Sequence, residues 1–355
     1  MIARIKAWMS GVILLATLSL SGCISRSTGN QVVSVIAFGS CIDTNTHPML
    51  ETFLRKDWDI AVMLGDNIYA DTTNATVMRQ KYDERKGSNF WQGMLKKGPV
   101  LATWDDHDLG WNDSGADYPM KRESQKLFLE FMEEPSDSER WNREGVYDAQ
   151  LFGPQGKRVQ LILLDTRYFR STLSTGIHNA VPSGGPYVPT SDASKTMLGE
   201  AQWNWLEQML RVPAEVRVIG SSIQFVSEFS GAEAWANLPH EKQRMLELVR
   251  RVERAELGGV PSRVLFISGD RHWAELSLLE RQDLPPLYDL TSSALTQKHA
   301  RGTPTPNDFR VGPTYHDANM GLVEIDWRKR DPAGWPGITL RLLDAEGGER
   351  ISVRY

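Results

Sequence analysis

The sequence predicts an α/β layered fold, and three of its features carry that prediction. Six apolar runs of four to seven residues, rich in β-branched side chains, end at glycine or polar residues, as strands covered on both faces do. Segments with apolar residues at helical spacing fall among them. The last part of the chain then changes character, with strand following strand and no long helical pattern between. That adds an antiparallel run to the layered core.

In chain order, the runs are residues 32–38, 60–64, 100–104, 159–164, 216–219 and 264–267. Helical spacing brings together Leu127, Phe128, Phe131 and Met132, then Trp203, Leu206 and Leu210 within 199–210, then Met245, Leu248, Val249 and Val252. The closing strands are 276–279, 288–291, 321–325, 338–343 and 351–355. Two long polar loops, about 171–196 and about 297–317, have the length of functional rims. Of the twelve tryptophans, Trp203 and Trp205 lie on a helical pattern and suit core packing, whereas Trp91, Trp111, Trp235 and Trp273 are the ones available to line a cleft.

The 355 residues suffice for one large domain or two ordinary ones, and the N-terminus reads as a targeting segment. Arg4 and Lys6 precede an apolar stretch, 7–20, that is shorter than the roughly 20 residues a bilayer span takes. It ends in Leu20-Ser21-Gly22-Cys23, which resembles a bacterial lipobox. That resemblance implies cleavage before Cys23 and acylation of its sulfur, and more than one acyl chain anchors stably. The organisation expected is a signal peptide over 1–22, a tether over 23–30 and a single domain over 31–355. Export to a periplasm-facing or cell-surface position follows. Ile24 after the cysteine favours the outer membrane in a Gram-negative cell, and without a twin-arginine pair the chain is expected to cross unfolded. Cys41, the second of two cysteines, then has no intrachain partner. It is either a small buried hydrophobe or a ligand. The net charge of −5 offers no basic footprint for sequence-specific nucleic-acid binding.

Chemistry collects just after the apolar runs, where α/β sheets place their sites. The first is followed by Gly39-Ser40-Cys41 and the second by Gly65-Asp66-Asn67-Ile68-Tyr69. The third leads into Asp105-Asp106-His107-Asp108 and Gly110-Trp111-Asn112-Asp113. Asp165-Thr166-Arg167, Gly220 to Gln224 and Ser268-Gly269-Asp270-Arg271-His272 follow the others. Acids converging on one rim repel one another. Few basic residues accompany them, so bound cations are the simplest compensation, and a carboxylate bridging two of them suits in-line phosphoryl displacement. No Gly-x-Ser-x-Gly elbow, P-loop or dinucleotide fingerprint is present.

As a set, Gly-Ser-Cys, Gly-Asp-Asn-Ile-Tyr, Thr-Trp-Asp-Asp-His-Asp with Gly-Trp-Asn-Asp, Leu-Asp-Thr-Arg, Leu-Gly-Glu-x-Gln-x-x-Trp-Leu and Ser-Gly-Asp-x-His resemble the PhoD-like (alkaline phosphatase D) phosphatases of the metallophosphoesterase superfamily. The resemblance implies a four-layer αββα sandwich, with mixed sheets and helices on both outer faces. It implies hydrolysis of phosphate monoesters or diesters by metal-activated water at a two-metal site. Asp66 resembles the bridging carboxylate, with Cys41, Tyr69 and His272 as ligands of the first metal. Asp106 and Asp270 resemble second-site ligands, Asp105 being able to trade roles with Asp106, and Gln224 is a further candidate there. His107 resembles the catalytic histidine beside the leaving group, and Asn112 a phosphate contact. Arg167 either orients phosphate oxygens or pairs with Asp165.

Two features depart from the family. No β-sandwich domain fits before Cys41, and the twin arginines of members exported folded are missing. A phenol with an ordinary pKa of about 10 ionises at neutral pH only beside a strongly acidic cation. Tyr69 therefore points to ferric iron, and the oxygen-rich second set to calcium, magnesium or manganese. The resemblance likewise implies iron with calcium. The competing reading is a metal-binding surface lipoprotein without turnover.

Overall fold

Side chains on successive strand residues face opposite ways, and this chain buries both faces of its parallel strands. The computed structural model describes residues 26–27, 29–176, 185–228, 231–299 and 306–355. The signal segment and the lipobox with Cys23 lie outside the described residues. The first half of the chain forms β1 (Arg26–Ser27), β2 (Val35–Gly39), α1 (Pro48–Arg55), β3 (Ile60–Leu64), α2 (Ala75–Lys86), α3 (Asn89–Lys97), β4 (Val100–Thr103), α4 (Asp106–Leu109) and α5 (Lys121–Phe131). Then come β5 (Asp148–Phe152), β6 (Val159–Leu163), α6 (Gly199–Leu210), β7 (Val216–Ser221), α7 (Pro239–Glu253) and β8 (Arg263–Ser268). The closing strands are β9 (Ala274–Leu279), β10 (Leu287–Ser292), β11 (Asn319–Arg330), β12 (Pro336–Asp344) and β13 (Glu349–Arg354).

The six apolar runs divide equally between two sheets. One has the order β13-β12-β11-β2-β3-β4, and the other β1-β5-β6-β7-β8-β10-β9. β2, β3 and β4 run parallel, as do β6, β7, β8 and β10. The closing run is shared out: β9 pairs antiparallel with β10 in the second sheet, while β11 lies antiparallel to β2 in the first.

Alternation along these strands fills three cores. Ile36, Phe38, Val62 and Leu64 from one sheet meet Leu161, Leu163, Val218 and Leu265 from the other. Ala37, Ala61, Met63 and Ala102 face the first helical layer, packed on Phe53, Trp91 and Phe128. Ile162, Ile219, Val264 and Phe266 face the second, packed on Trp203, Leu206, Met245 and Val249. The result is the αββα sandwich. Trp91, Trp203, Trp205, Trp235 and Trp273 are all buried, and of the tryptophans proposed for a cleft only Trp111 is substantially exposed, at 41%.

The strand exits are packed against one another, which is what positions the site. A Cβ on Gly269 would lie 2.5 Å from Ser40 Oγ, so the exits of β2 and β8 touch. Gly65 has φ +101°, and a Cβ there would sit 2.4 Å from Asp105 Cβ and 2.9 Å from Asp105 N. Only glycine accommodates both the dihedral and the approach. Gly65→Ala is expected to lose at least about 2 kcal/mol in urea unfolding, combining left-handed strain with overpacking. An unchanged midpoint would mean that the exits of β3 and β4 separate freely.

Candidate metal centre

Eight described non-glycine residues have positive φ, and six of them, Cys41, Asp66, Asp71, Asp113, Asp270 and His272, are at the strand-exit rim. Left-handed backbone is costly for such residues and gathers where function holds it in place. At Cys41, Asp66, Asp270 and His272 it bends the chain just beyond a strand, so that short loops carry these side chains back over the sheet ends.

These loops bring the predicted residues together. Cys41 Sγ lies 3.5 Å from Asp66 Oδ2, and Tyr69 Oη donates to the same oxygen at 3.1 Å. Tyr69 Oη is 3.2 Å from His272 Nε2. Ligand atoms of Cys41, Asp66 and His272 all lie within 4.8 Å of one another, as do those of Asp66, Asp106 and His107, and those of Asp105, Asp106 and Asp270. Asp66 belongs to the first two groups and Asp106 joins the second to the third. The exposed Asn112 sits on the rim beside Asp113, whose backbone N–H donates to Asp106 Oδ2 at 2.6 Å.

Two expectations need correction. The Asp165 carboxylate accepts backbone N–H groups of Arg167, Tyr168 and Val146 instead of pairing with the Arg167 side chain. The Arg167 guanidinium has no exposed surface to offer a phosphate; it pairs with Asp105 and Glu233, and its Nη2 lies 3.8 Å from Asp106 and 3.7 Å from Asp270. Gln224 is also engaged elsewhere, donating to Glu275 Oε1 at 2.6 Å and Thr291 Oγ1 at 2.9 Å.

Several residues of the site gave no clear sign in the sequence. Glu233, from the segment before α7, binds both Arg167 and Arg170. Ligand atoms of Asp106, Asp113 and Glu233 also fall within 4.8 Å of one another. Asp71 holds His107 Nδ1 at 2.7 Å. Buried Asp108 accepts from the backbone N–H groups of Asn67 and Asp105 and from Tyr82 Oη, clasping the β3 and β4 exits together. Arg85 of α2 donates to the carbonyls of Ile42, Thr44 and Asn67, pinning the loops that carry Cys41 and Asp66. An acid two residues past Tyr69 and another inside Asp-Asp-His-Asp were visible, but their partners were not.

The electrostatics leave negative charge poorly compensated. Burial, reinforced by neighbouring carboxylates, raises Asp66 and Asp270 well above the ordinary range. Burial pushes Asp105 up to about 7 against the pull of Arg167. Burial and then the Asp66 charge raise the Cys41 thiol and the Tyr69 phenol. Burial opposes ionisation of Asp106 too, but Arg167 and His107 hold it below the usual value. Buried Asp66 Oδ1 and Asp105 Oδ2 have no hydrogen-bond partner among the described residues. Orphaned carboxylate oxygens beside a thiol, a phenol and an imidazole make a donor set that fits bound cations.

Stripped of metal, the protein is expected to become less stable as pH rises. A carboxyl whose folded pKa is raised contributes stability that is full below its ordinary value and lost as pH climbs through the folded one. For Asp105 that window runs from 3.8 to about 7, and Asp66 and Asp270 act in the same direction. His272, pushed down to about 4 by burial and by His107, opposes them below its ordinary 6.5. The expected result is a thermal midpoint of chelated protein that falls between about pH 5 and pH 8, and flattens when metal is restored. A midpoint rising across that range would contradict this charge balance.

The fold and family follow from comparison. No curated protein sequence matches the chain significantly. The structure titled "Structure of PhoD" is similar to it with a TM-score of 0.62 at 16% identity, over 92% of this chain and 73% of that one, which establishes a shared fold. The PhoD-like phosphatase family matches residues 36–307, spanning the strand exits from Cys41 to His272. This chain belongs to the PhoD-like phosphatase family.

Proposed function

We propose that this chain is a metal-dependent phosphoesterase that hydrolyses phosphate monoesters or diesters at a two-metal site. The observation that carries the reading is the meeting of Cys41, Asp66, Tyr69 and His272 on one side and Asp105, Asp106 and Asp270 on the other, with Asp66 and Asp106 joining the groups. Cys41, Asp66, Tyr69 and His272 would hold the first cation, ferric iron by the phenol argument. Asp66, Asp106 and Asp270, with Asp105 beside them, would hold the second, calcium, magnesium or manganese. Bound cations of this kind lower the pKa of water and stabilise charge on phosphoryl oxygens.

The chain's own groups then divide the remaining work. His107 lies with its ring 4.4 Å from that of Tyr69 and its Nδ1 held by Asp71. That bond fixes the ring's orientation and leaves Nε2 to give a proton to the leaving oxygen. Asn112 at the rim suits a non-bridging oxygen. Arg167 keeps Asp105 and Glu233 in register.

Asp66→Asn is expected to lower turnover of p-nitrophenyl phosphate and bis(p-nitrophenyl) phosphate by roughly a hundredfold or more, beyond what loss of a supporting group costs, while the protein stays folded. Wild-type turnover of at least one ester should vanish with chelator, and natively purified protein should contain iron. Near-normal activity of the variant rules out the bridging role, and chelator-insensitive turnover rules out the metal mechanism.

We also infer, from the segment ending in Leu20-Ser21-Gly22-Cys23, that the protein is exported and anchored by acyl chains on Cys23. Metabolic labelling with an alkyne fatty acid should mark the wild-type protein and leave Cys23→Ser unmarked in the soluble fraction. An unlabelled wild-type protein overturns the anchor.

A further inference from the structure

The residues after β8 serve two neighbourhoods. Asp270 and His272 belong to the metal centre, whereas Arg271 and Trp273, alternating with them, build something beside it. The Arg271 guanidinium lies over the Trp273 ring at 4.4 Å. The same ring meets His299 edge-on at 5.3 Å and lies 6.0 Å from His316. Backbone bonds hold these segments against the centre. His299 N–H donates to His272 O at 2.9 Å, Gln297 N–H to Cys41 O at 3.1 Å, and Tyr315 and Ala274 exchange bonds at 2.7 and 2.9 Å. Lys298 pairs with Asp317 at 3.0 Å, tying together the two segments that carry the histidines.

This cluster has nitrogen to spare. Arg271 Nε, Trp273 Nε1, His299 Nδ1 and His316 Nδ1 are buried and lack hydrogen-bond partners among the described residues. Trp273 is 2% exposed and the Arg271 side chain 9%. Arginine and indole nitrogens only donate, and each imidazole Nδ1 donates in one of its tautomers, His316 Nε2 being already in contact with Thr314 Oγ1 at 2.9 Å. A guanidinium lying over a ring keeps its edge donors free. The nearest acid, Asp270, is 3.9 Å from Arg271 and belongs to the metal centre, and Asp317 is taken by Lys298. Among the described residues, the Arg271 Nε–H and Trp273 Nε1–H donors have no acceptor, and an oxyanion supplies several.

We propose that Arg271, Trp273, His299 and His316 form an oxyanion subsite adjoining the hydrolytic centre, so that the preferred substrate carries a second anionic group beyond the scissile phosphate. This rests on the phosphoesterase reading and narrows it. The probes are fructose 1,6-bisphosphate and fructose 6-phosphate, given to the full-length metal-loaded protein. Binding is measured by calorimetry and turnover by phosphate release. The expected result is at least a tenfold lower Kd and KM for the bisphosphate. That ratio should fall toward one in His316→Gln and in Arg271→Gln. Equal affinity for the two sugars in the wild-type protein overturns the subsite even if neither variant folds. So does a preference that survives both substitutions. A preference for the bisphosphate upholds the subsite even without phosphate release, and the hydrolase reading falls instead only if bis(p-nitrophenyl) phosphate and p-nitrophenyl phosphate are not turned over either.

Discussion

Arg167 carries a full positive charge with no exposed side-chain surface, between the Asp105 and Glu233 carboxylates and within 4 Å of Asp106 and Asp270. A buried cation of this kind is tolerable only because acids surround it, and removing one partner of such a pair typically costs about 3–5 kcal/mol. The pairing also has a geometric effect. Asp105 follows β4 in one sheet, Arg167 follows β6 in the other, and Ser222 after β7 bonds the same Asp105 oxygen. The two sheets are thereby registered at their exits by charge and hydrogen bonding, while the apolar core between them supplies cohesion without direction.

One guanidinium cannot neutralise the acids assembled around it. Asp66 and Asp270 stay raised by burial and by the field of Asp105 and Asp106, and Asp66 Oδ1 and Asp105 Oδ2 stay without partners among the described residues. The protein holds these groups close even though they oppose each other's ionisation, and it does so with supports that are themselves buried. Asp108 takes backbone N–H groups from two loops, and Arg85 takes carbonyls from two. Such preorganisation is what a metal centre needs, because ligands already in place do not have to be gathered when the ion arrives.

The proposed anion subsite would set substrate preference on the same rim as the candidate metal ligands. The metal-facing residues Asp270 and His272 alternate with Arg271 and Trp273, which face segments drawn from one of the long polar loops. Hydrolysis and selection would then be built on one short stretch of chain, with selection also drawing on the residues around His299 and His316.

Much of this was legible in the sequence. The run 60–64 is β3 to the residue, 199–210 is α6, and the acids, Cys41, Tyr69 and His272 were placed by their position after apolar runs. Period and punctuation are local, so local residues reveal them. β5, with its polar Asp148 and Gln150, and α2, which buries little beyond Met78, Tyr82 and Arg85, lack that periodic signal. The chain by itself determined which groups stand at strand exits and hence the chemistry available. Only the tertiary structure decided that the six runs split between two sheets, that Arg167 turns to Glu233 instead of Asp165, and that Gln224 turns away to Glu275. Those outcomes depend on which buried charge finds which partner across the interface between layers, and spacing along a chain does not encode distance through a core.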